Sequence, residues 1–402
     1  MRIVALSTSF PRGPDDHAGR FVLDLSRGLT EHGHETTHVV PGTRRTAVSP
    51  PGADRLVRRA RFAPFAGLDE LVYGHGIAEN LRRRPWLALG APFLLRSLRR
   101  AAEEAVGDTG AEALVSHWLV PSGRIAAAIA RQRRLLHVAV EHGGGLRLLS
   151  RLPGGRRIFL SILKGTDHLV FVSRDLAARA AALLGRDLPI EQSICPMGID
   201  IAAFRGPIDR AAVRAAFADA FIILAVGRCV RLKGFDLLIE AAARLPGSAL
   251  WIVGEGPERR RWEGLAKERG VRAVFFGHLG QSALAPLYAA ADLVCVPSRT
   301  DAAGRSEGAP VVVQEAFAAG RAVVAARAGG LPERVREDED GLFFRAGDSG
   351  ELAHVLRRLI DDAGRLRRLE DGARRAGEAA SYRRVAAHFD GVLQALASRP
   401  RR

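Results

Sequence analysis

The chain has 402 residues, 47% of them hydrophobic, which suits two domains with sizeable cores and excludes wholesale disorder. Its formal charge is +16, but the excess is shared, +9 up to residue 200 and +7 beyond it, so no single nucleic-acid-binding domain is marked out. No apolar run reaches spanning length, and the run Arg2–Leu6 ahead of Pro11 is too short for a signal-peptide core; the expectation is a soluble or peripheral cytoplasmic protein.

Short apolar runs alternate with helical patterns from the start. Ile3–Ser7 reads as a strand, Phe21–His32 as a helix closed by Gly33, and Thr36–Val40 as the next strand. Residues 51–100 carry a local excess of +6, with Arg82-Arg83-Arg84-Pro85-Trp86 and Phe93-Leu94-Leu95 ahead of Arg96, Arg99 and Arg100. Basic residues beside exposed apolar ones suit an anionic membrane surface; a solvated helix with a core-facing apolar stripe is the plainer account. Ala113–His117, His137–Glu141 and Leu169–Ser173 read as further strands. Gly198–Pro207 reads as the connection and hinge between the halves.

The second half restarts the pattern. Phe221–Val226 reads as a strand, Asp236–Arg244 as a helix, and Ala249–Val253, Val274–Phe276, Leu293–Val296 and Ala322–Ala325 as strands. Residues 378–398 read as a terminal helix. Strands alternating with helices imply parallel sheets covered on both faces, which bind ligands beyond the strand C-termini. The expected architecture is α/β, two doubly wound Rossmann-like domains facing across a cleft. Cys195, Cys229 and Cys295 have no metal-ligand spacing and are odd in number, so buried free thiols are expected.

Glu307 and Glu315 stand eight positions apart around Pro310, which suits a first helical turn, with Gly320 suiting the helix end. A carboxylate accepts hydrogen bonds from two adjacent hydroxyls, and a helix N-terminus offers N–H groups to phosphate. A nucleotide sugar has that layout, a diol at each end and phosphate between. On spacing alone an ordinary surface pair beside a buried helix is the plainer account. Gly227-Arg228 and Lys233-Gly234 shift the balance, because two cations at a strand end would hold a pyrophosphate and offset charge on a departing diphosphate. Lys233 is one of only three lysines among 60 basic residues, which suggests a need for a compact ammonium there.

These residues resemble, in order, the family 4 retaining glycosyltransferases of the GT-B fold. Gly227-Arg228 with Leu232–Asp236 resembles the family's phosphate-binding strand and helix, Gly254-Glu255-Gly256-Pro257 its nucleotide-side loop, and Glu307–Gly320 its paired-glutamate signature. Phe276-Gly277 and Leu287-Tyr288 through Ala291-Asp292 fit the units between. Pro196–Asp200 with Phe204 resembles the interdomain connection; His117-Trp118, Pro121-Ser122-Gly123 and His142-Gly143 resemble acceptor-side motifs. The chain departs from the pattern at Gly144-Gly145, where an acid is common; at Gly19, which stands without a paired glycine; and at Ala322, where a proline is common.

The resemblance implies an acceptor-binding domain over 1–200, with helix 378–398 packing back on it, and a nucleotide-sugar-binding domain over 201–377. It implies that Glu315 binds the ribose, that Glu307 binds the transferred sugar, and that Arg228 and Lys233 hold the pyrophosphate. Gly227, Gly254, Gly308, Ala309, Pro310 and Gly19 would let the backbone approach the donor. His142, followed by three glycines, would stand near the anomeric carbon, orienting the sugar or handling the acceptor proton. Trp118 and Arg20 fall on the acceptor side; His117 would line that pocket or pack beside Trp118. Gly329-Gly330 would offer N–H groups to phosphate or form a plain turn.

The expected reaction moves a hexose-type sugar from a nucleotide diphosphate sugar, uridine by default, to a hydroxyl of a sugar, lipid-linked sugar or small molecule. No metal, cofactor or nucleic acid is expected. A nucleotide-sugar epimerase and a basic non-catalytic scaffold are the competing readings.

Overall fold

The computed structural model describes residues 1–13, 16, 18–42, 56–65, 67–72, 77–300 and 310–399. The chain divides into two compact units: Met1–Pro196 with Val385–Arg402, and Met197–Arg384.

In the first unit, β1 (Arg2–Leu6), β2 (Glu35–Gly42), β3 (Val57–Arg61), β4 (Ala113–His117), β5 (Leu136–Glu141), β6 (His168–Phe171) and β7 (Glu191–Ile194) form one sheet. Their order is β3-β2-β1-β4-β5-β6-β7, and all pairings are parallel. Central strands are buried apart from their first residues, and Ala113–His117 is buried throughout, because helices cover both faces. The edge strands β3 and β7 escape a reading of apolar runs: in β3 only Ala60 is buried, and β7 has no buried residue.

In the second unit, β8 (Phe221–Val226), β9 (Ser248–Val253), β10 (Ala273–Gly277), β11 (Leu293–Val296), β12 (Val323–Ala326) and β13 (Gly341–Phe344) pair in the order β10-β9-β8-β11-β12-β13, again all parallel. Alternate residues of each strand feed two cores. Ile223, Leu250, Ile252, Leu293, Val324 and Phe344 face the helices that carry Phe235, Trp262 and Leu356. Ile222, Leu224, Trp251, Val294, Val323 and Phe343 face those that carry Tyr288, Val313 and Phe317. The period-two split assigns every strand side chain to one layer or the other.

The terminal helix expected over 378–398 forms as Tyr382–Ala397, starting four residues later because 378 and 379 close the preceding helix, Ala363–Ala379. The break has a cause in hydrogen bonding. Ile199 N–H donates to the Ala380 carbonyl at 2.9 Å and Tyr382 N–H to the Ile199 carbonyl at 3.0 Å, so this backbone pairs with the expected hinge segment. The last helix packs on the first unit through buried Phe389 and Leu393. His34 with Asp390 at 2.9 Å and Ser193 with His388 at 2.9 Å add polar ties.

The basic stretch contains both features expected of it. The helix Ala91–Thr109 turns Leu94, Leu98, Ala102, Ala105 and Val106 inward. Beside that stripe Trp86, Leu89 and Phe93 are 45%, 67% and 48% exposed. Arg99 and Arg100 bond Glu103 and Glu104, each at 2.8 Å, and Arg84 pairs with Glu70. Cys195, Cys229 and Cys295 are free and buried, as expected.

Candidate active site

A parallel sheet delivers all its strand C-termini to one edge, and the strand order reverses between β1 and β4 and between β8 and β11. Ligand-binding loops collect at such points. In each unit several of the described candidate residues lie at that edge.

In the first unit, β4 ends at His117 and β5 is followed by His142. His117 Nδ1 and His142 Nε2 are 3.0 Å apart, so one ring donates and the other accepts. Phe21 and Trp118 complete the cluster, their ring centres 4.9 and 4.7 Å from His142. His117 is fully buried, and burial, with His142 and His38 nearby, holds its pKa well below the ordinary value. His142 keeps some exposed surface. The groups hemming its ring nevertheless push its pKa down to about 3. The pair is therefore neutral at physiological pH. His117 bonds His142 and packs beside Trp118, their ring centres 6.3 Å apart.

Trp118 has a φ of 67°, an uncommon conformation for a bulky residue. Its N–H donates to the Val140 carbonyl at 2.8 Å. Arg20 is engaged by the buried Asp24 at 3.1 Å, along its own helix. Gly19, at φ 72°, is required by its own loop: a Cβ would lie 2.2 Å from the Ser9 carbonyl oxygen. At this position the chain passes close against the Ser9 backbone.

In the second unit, Gly227 directly follows β8, and a side chain there would meet the Lys233 Cε at 2.8 Å and Nζ at 3.1 Å. The missing Cβ lets the lysine cross the strand end. At Gly254, after β9, a Cβ would stand 1.9 Å from the Gly227 carbonyl oxygen, so that pair of strand ends closes only with glycine. Arg228 is exposed beside them. Pro310 precedes the helix Val311–Ala318, which carries Glu315. The Tyr288 hydroxyl donates to Glu315 Oε2 at 2.7 Å. Burial and that carboxylate raise the phenol pKa well above its ordinary value, so Tyr288 is a fixed donor. Glu307, Gly308 and Ala309 lie outside the described residues. No group of three or more His, Cys, Asp or Glu that could hold a metal occurs among the described residues.

Two family models cover the two halves: "Glycosyltransferase Family 4" matches residues 18–203 and "Glycosyl transferases group 1" residues 210–376. The D-inositol 3-phosphate glycosyltransferase of Xylanimonas cellulosilytica is 30% identical over 95% of this chain and 92% of its own length. The chain belongs to the group 1, family 4 glycosyltransferases. The lipopolysaccharide core biosynthesis glycosyltransferase LpsE of Rhizobium meliloti is 28% identical over 98% of this chain and 99% of its own. Among solved structures, Anabaena HepE in complex with UDP-glucose superposes with a TM-score of 0.73 at 19% identity, covering 98% of this chain and 100% of that one. The fold of this glycosyltransferase is GT-B.

Three residues at these strand ends carry more of the geometry than the sequence reading gave them: Phe21, Glu141 and Tyr288. Tyr288 entered only as part of a motif. Glu141 had a signal, as the single acid between Glu112 and Asp167, placed directly before His142.

The buried imidazoles make stability fall in acid. His38 and His142 are held to about 3 and His137 to about 4. A histidine depressed in the fold stabilises fully above its unfolded pKa, about 6.5, and that contribution is lost as pH falls through 6.5 toward the folded value. Urea unfolding at pH 7 and pH 5.5 should show a loss approaching ~1.4 kcal/mol per pH unit for each such ring. Equal stability at the two values would contradict the buried neutral cluster.

Proposed function

We propose that this glycosyltransferase moves a hexose-type sugar from a uridine diphosphate sugar to an acceptor hydroxyl, with retention at the anomeric carbon. The observation that carries the reading is Lys233 lying across Gly227, beside Arg228, at the end of β8. Charge develops on the diphosphate as the glycosidic bond breaks, and fixed cations stabilise it more than water can. The two side chains are proposed to do this without a divalent ion. Glu315, held by Tyr288, would accept from the ribose hydroxyls and Glu307 from the sugar hydroxyls. His142, neutral and partly exposed, would orient the sugar or take the acceptor proton. HepE, crystallised with UDP-glucose, supports a uridine donor.

The proposed setting is cell-surface polysaccharide or glycoconjugate synthesis at the cytoplasmic face of the membrane, in line with the similarity to LpsE. Trp86, Leu89 and Phe93, exposed beside a run of arginines, would rest on anionic lipid there. A second acceptor reading, a small phosphorylated polyol, is favoured by the relative named for inositol 3-phosphate.

A donor panel followed by nucleoside diphosphate release, with and without sugar, lipid-linked and inositol phosphate acceptors, tests the reaction. Acceptor-dependent UDP release in the presence of EDTA is expected. Epimerised donor with no acceptor requirement would sink the transferase reading. Lys233→Ala should lower kcat by roughly 10²–10³-fold in a folded protein; near-normal turnover contradicts its role. Tyr288→Phe should raise the donor KM by about tenfold with little change in kcat, the worth of one hydrogen bond to a charged group. An unchanged KM would show that the Tyr288 bond does not set Glu315 for the donor. Vesicles rich in phosphatidylglycerol should retain the protein in sedimentation, and Leu89→Ser with Phe93→Ser should release it. Equal binding by this double variant would rule the patch out.

A further inference from the structure

Glu141 is the last residue of β5 and its side chain is wholly buried, yet no arginine or lysine pairs with it among the described residues. A buried carboxylate without a cation needs hydrogen-bond donors. Here they are backbone N–H groups from two loops. Oε1 accepts from Gly143 at 2.6 Å and from Leu146 at 3.1 Å. Oε2 accepts from Leu119, across on the loop after β4, at 3.0 Å. The Gly145 backbone beside them also favours the charged form. Gly143 to Leu146 open the helix Gly144–Arg151, whose free N–H groups favour a negative charge.

Every one of these partners donates, so the ionised carboxylate is the form the nest satisfies; burial works in the opposite direction and raises its pKa. Three of its roughly four acceptor sites are taken up by backbone and the group is closed to solvent, which leaves it unsuited to act as a base or nucleophile. The two loops it joins are those that carry Trp118 and His142. Leu119 directly follows Trp118 at its φ of 67°, and Gly143 directly follows His142. The surroundings fit the carboxylate closely. A Cβ on Gly145 would lie 2.7 Å from Glu141 Oε2 and 2.8 Å from the Leu119 nitrogen. Gly145, part of the departure from the family pattern, is therefore required by the carboxylate behind it.

We propose that Glu141 is a positioning residue, whose carboxylate clamps the loop after β4 to the loop after β5 and thereby sets where the His142 imidazole and the Trp118 ring stand. The consequence for turnover rests on the reading of His142 given above; the clamp itself does not. Glutamine matches glutamate in size but has one acceptor oxygen, and its amide nitrogen would face a backbone N–H on one loop or the other. That loop is released while the core is unchanged in volume.

The test compares wild-type protein with Glu141→Gln by histidine-selective NMR, UDP affinity and turnover of the active donor. The expected result is displaced His142 and His117 ring signals, unchanged UDP affinity, and a turnover at least tenfold lower, since small misplacements of reacting groups cost factors of this order. A residue important only for stability would leave the ring signals and the turnover of the folded fraction unmoved. Ring signals that stay put and turnover within twofold would overturn the proposal. If wild-type protein turns over no donor, the proposed function fails, and the ring signals still decide the clamp. Should Glu141→Gln not fold, Gly145→Ala keeps the charge and pushes the carboxylate from its nest; the same displaced signals are expected, and unmoved ones overturn the proposal. The wild-type Gly143 amide proton needs no variant: it should resonate far downfield, and an ordinary shift also counts against the clamp.

Discussion

The parallel strand is the constraint on which everything else depends. When all strands of a sheet run one way, every loop leaving a C-terminal end emerges on one edge. Both units of this chain obey that rule, with seven and six parallel strands. Chemistry-bearing residues scattered over more than two hundred positions therefore gather at just two edges. The cores need only hold the strands in register. The close work is left to the residues just past the strand ends, where glycine lets one backbone or side chain lie against another.

The two edges solve different electrostatic problems. In the second unit, cations and a tyrosine-held carboxylate lie near strand ends stripped of side chains, the arrangement proposed above to take a ligand with both phosphate and hydroxyl groups. In the first unit, charge is suppressed. His117 and His142 are kept neutral by their surroundings, and the Glu141 carboxylate faces backbone donors alone. One edge gathers charged side chains. The other holds aromatic and imidazole groups in fixed places with little mobile charge of their own.

Much of this was legible in the sequence because its signals are local. Apolar runs such as Phe221–Val226 and glycines closing strands, as at Gly227 and Gly254, announce themselves without knowledge of their neighbours. The edge strands β3 and β7 did not, because an edge strand buries too little to write an apolar run. The break between the last two helices was equally hidden: it depends on Ile199, far away in sequence, pairing with Ala380 and Tyr382. The site divided along the same line. Residue types with an evident chemistry, such as Lys233 and His142, stood out, whereas Tyr288 and Glu141 gain their meaning from partners 27 and 22 positions away. Gly19 was visible as a special position, but the group it makes room for, the Ser9 carbonyl, was not.

The three buried cysteines have a further consequence. Burial raises the Cys229 thiol to about 11 and drives Cys295 higher still, so neither exists as thiolate while the fold is intact. Thiolate is the form that electrophiles and oxidants attack. Cys195 belongs to the first unit and the other two to the second. Alkylation of Cys229 and Cys295 is thereby gated by opening of the second unit around them, and that unit carries its own internal reporter of the opening.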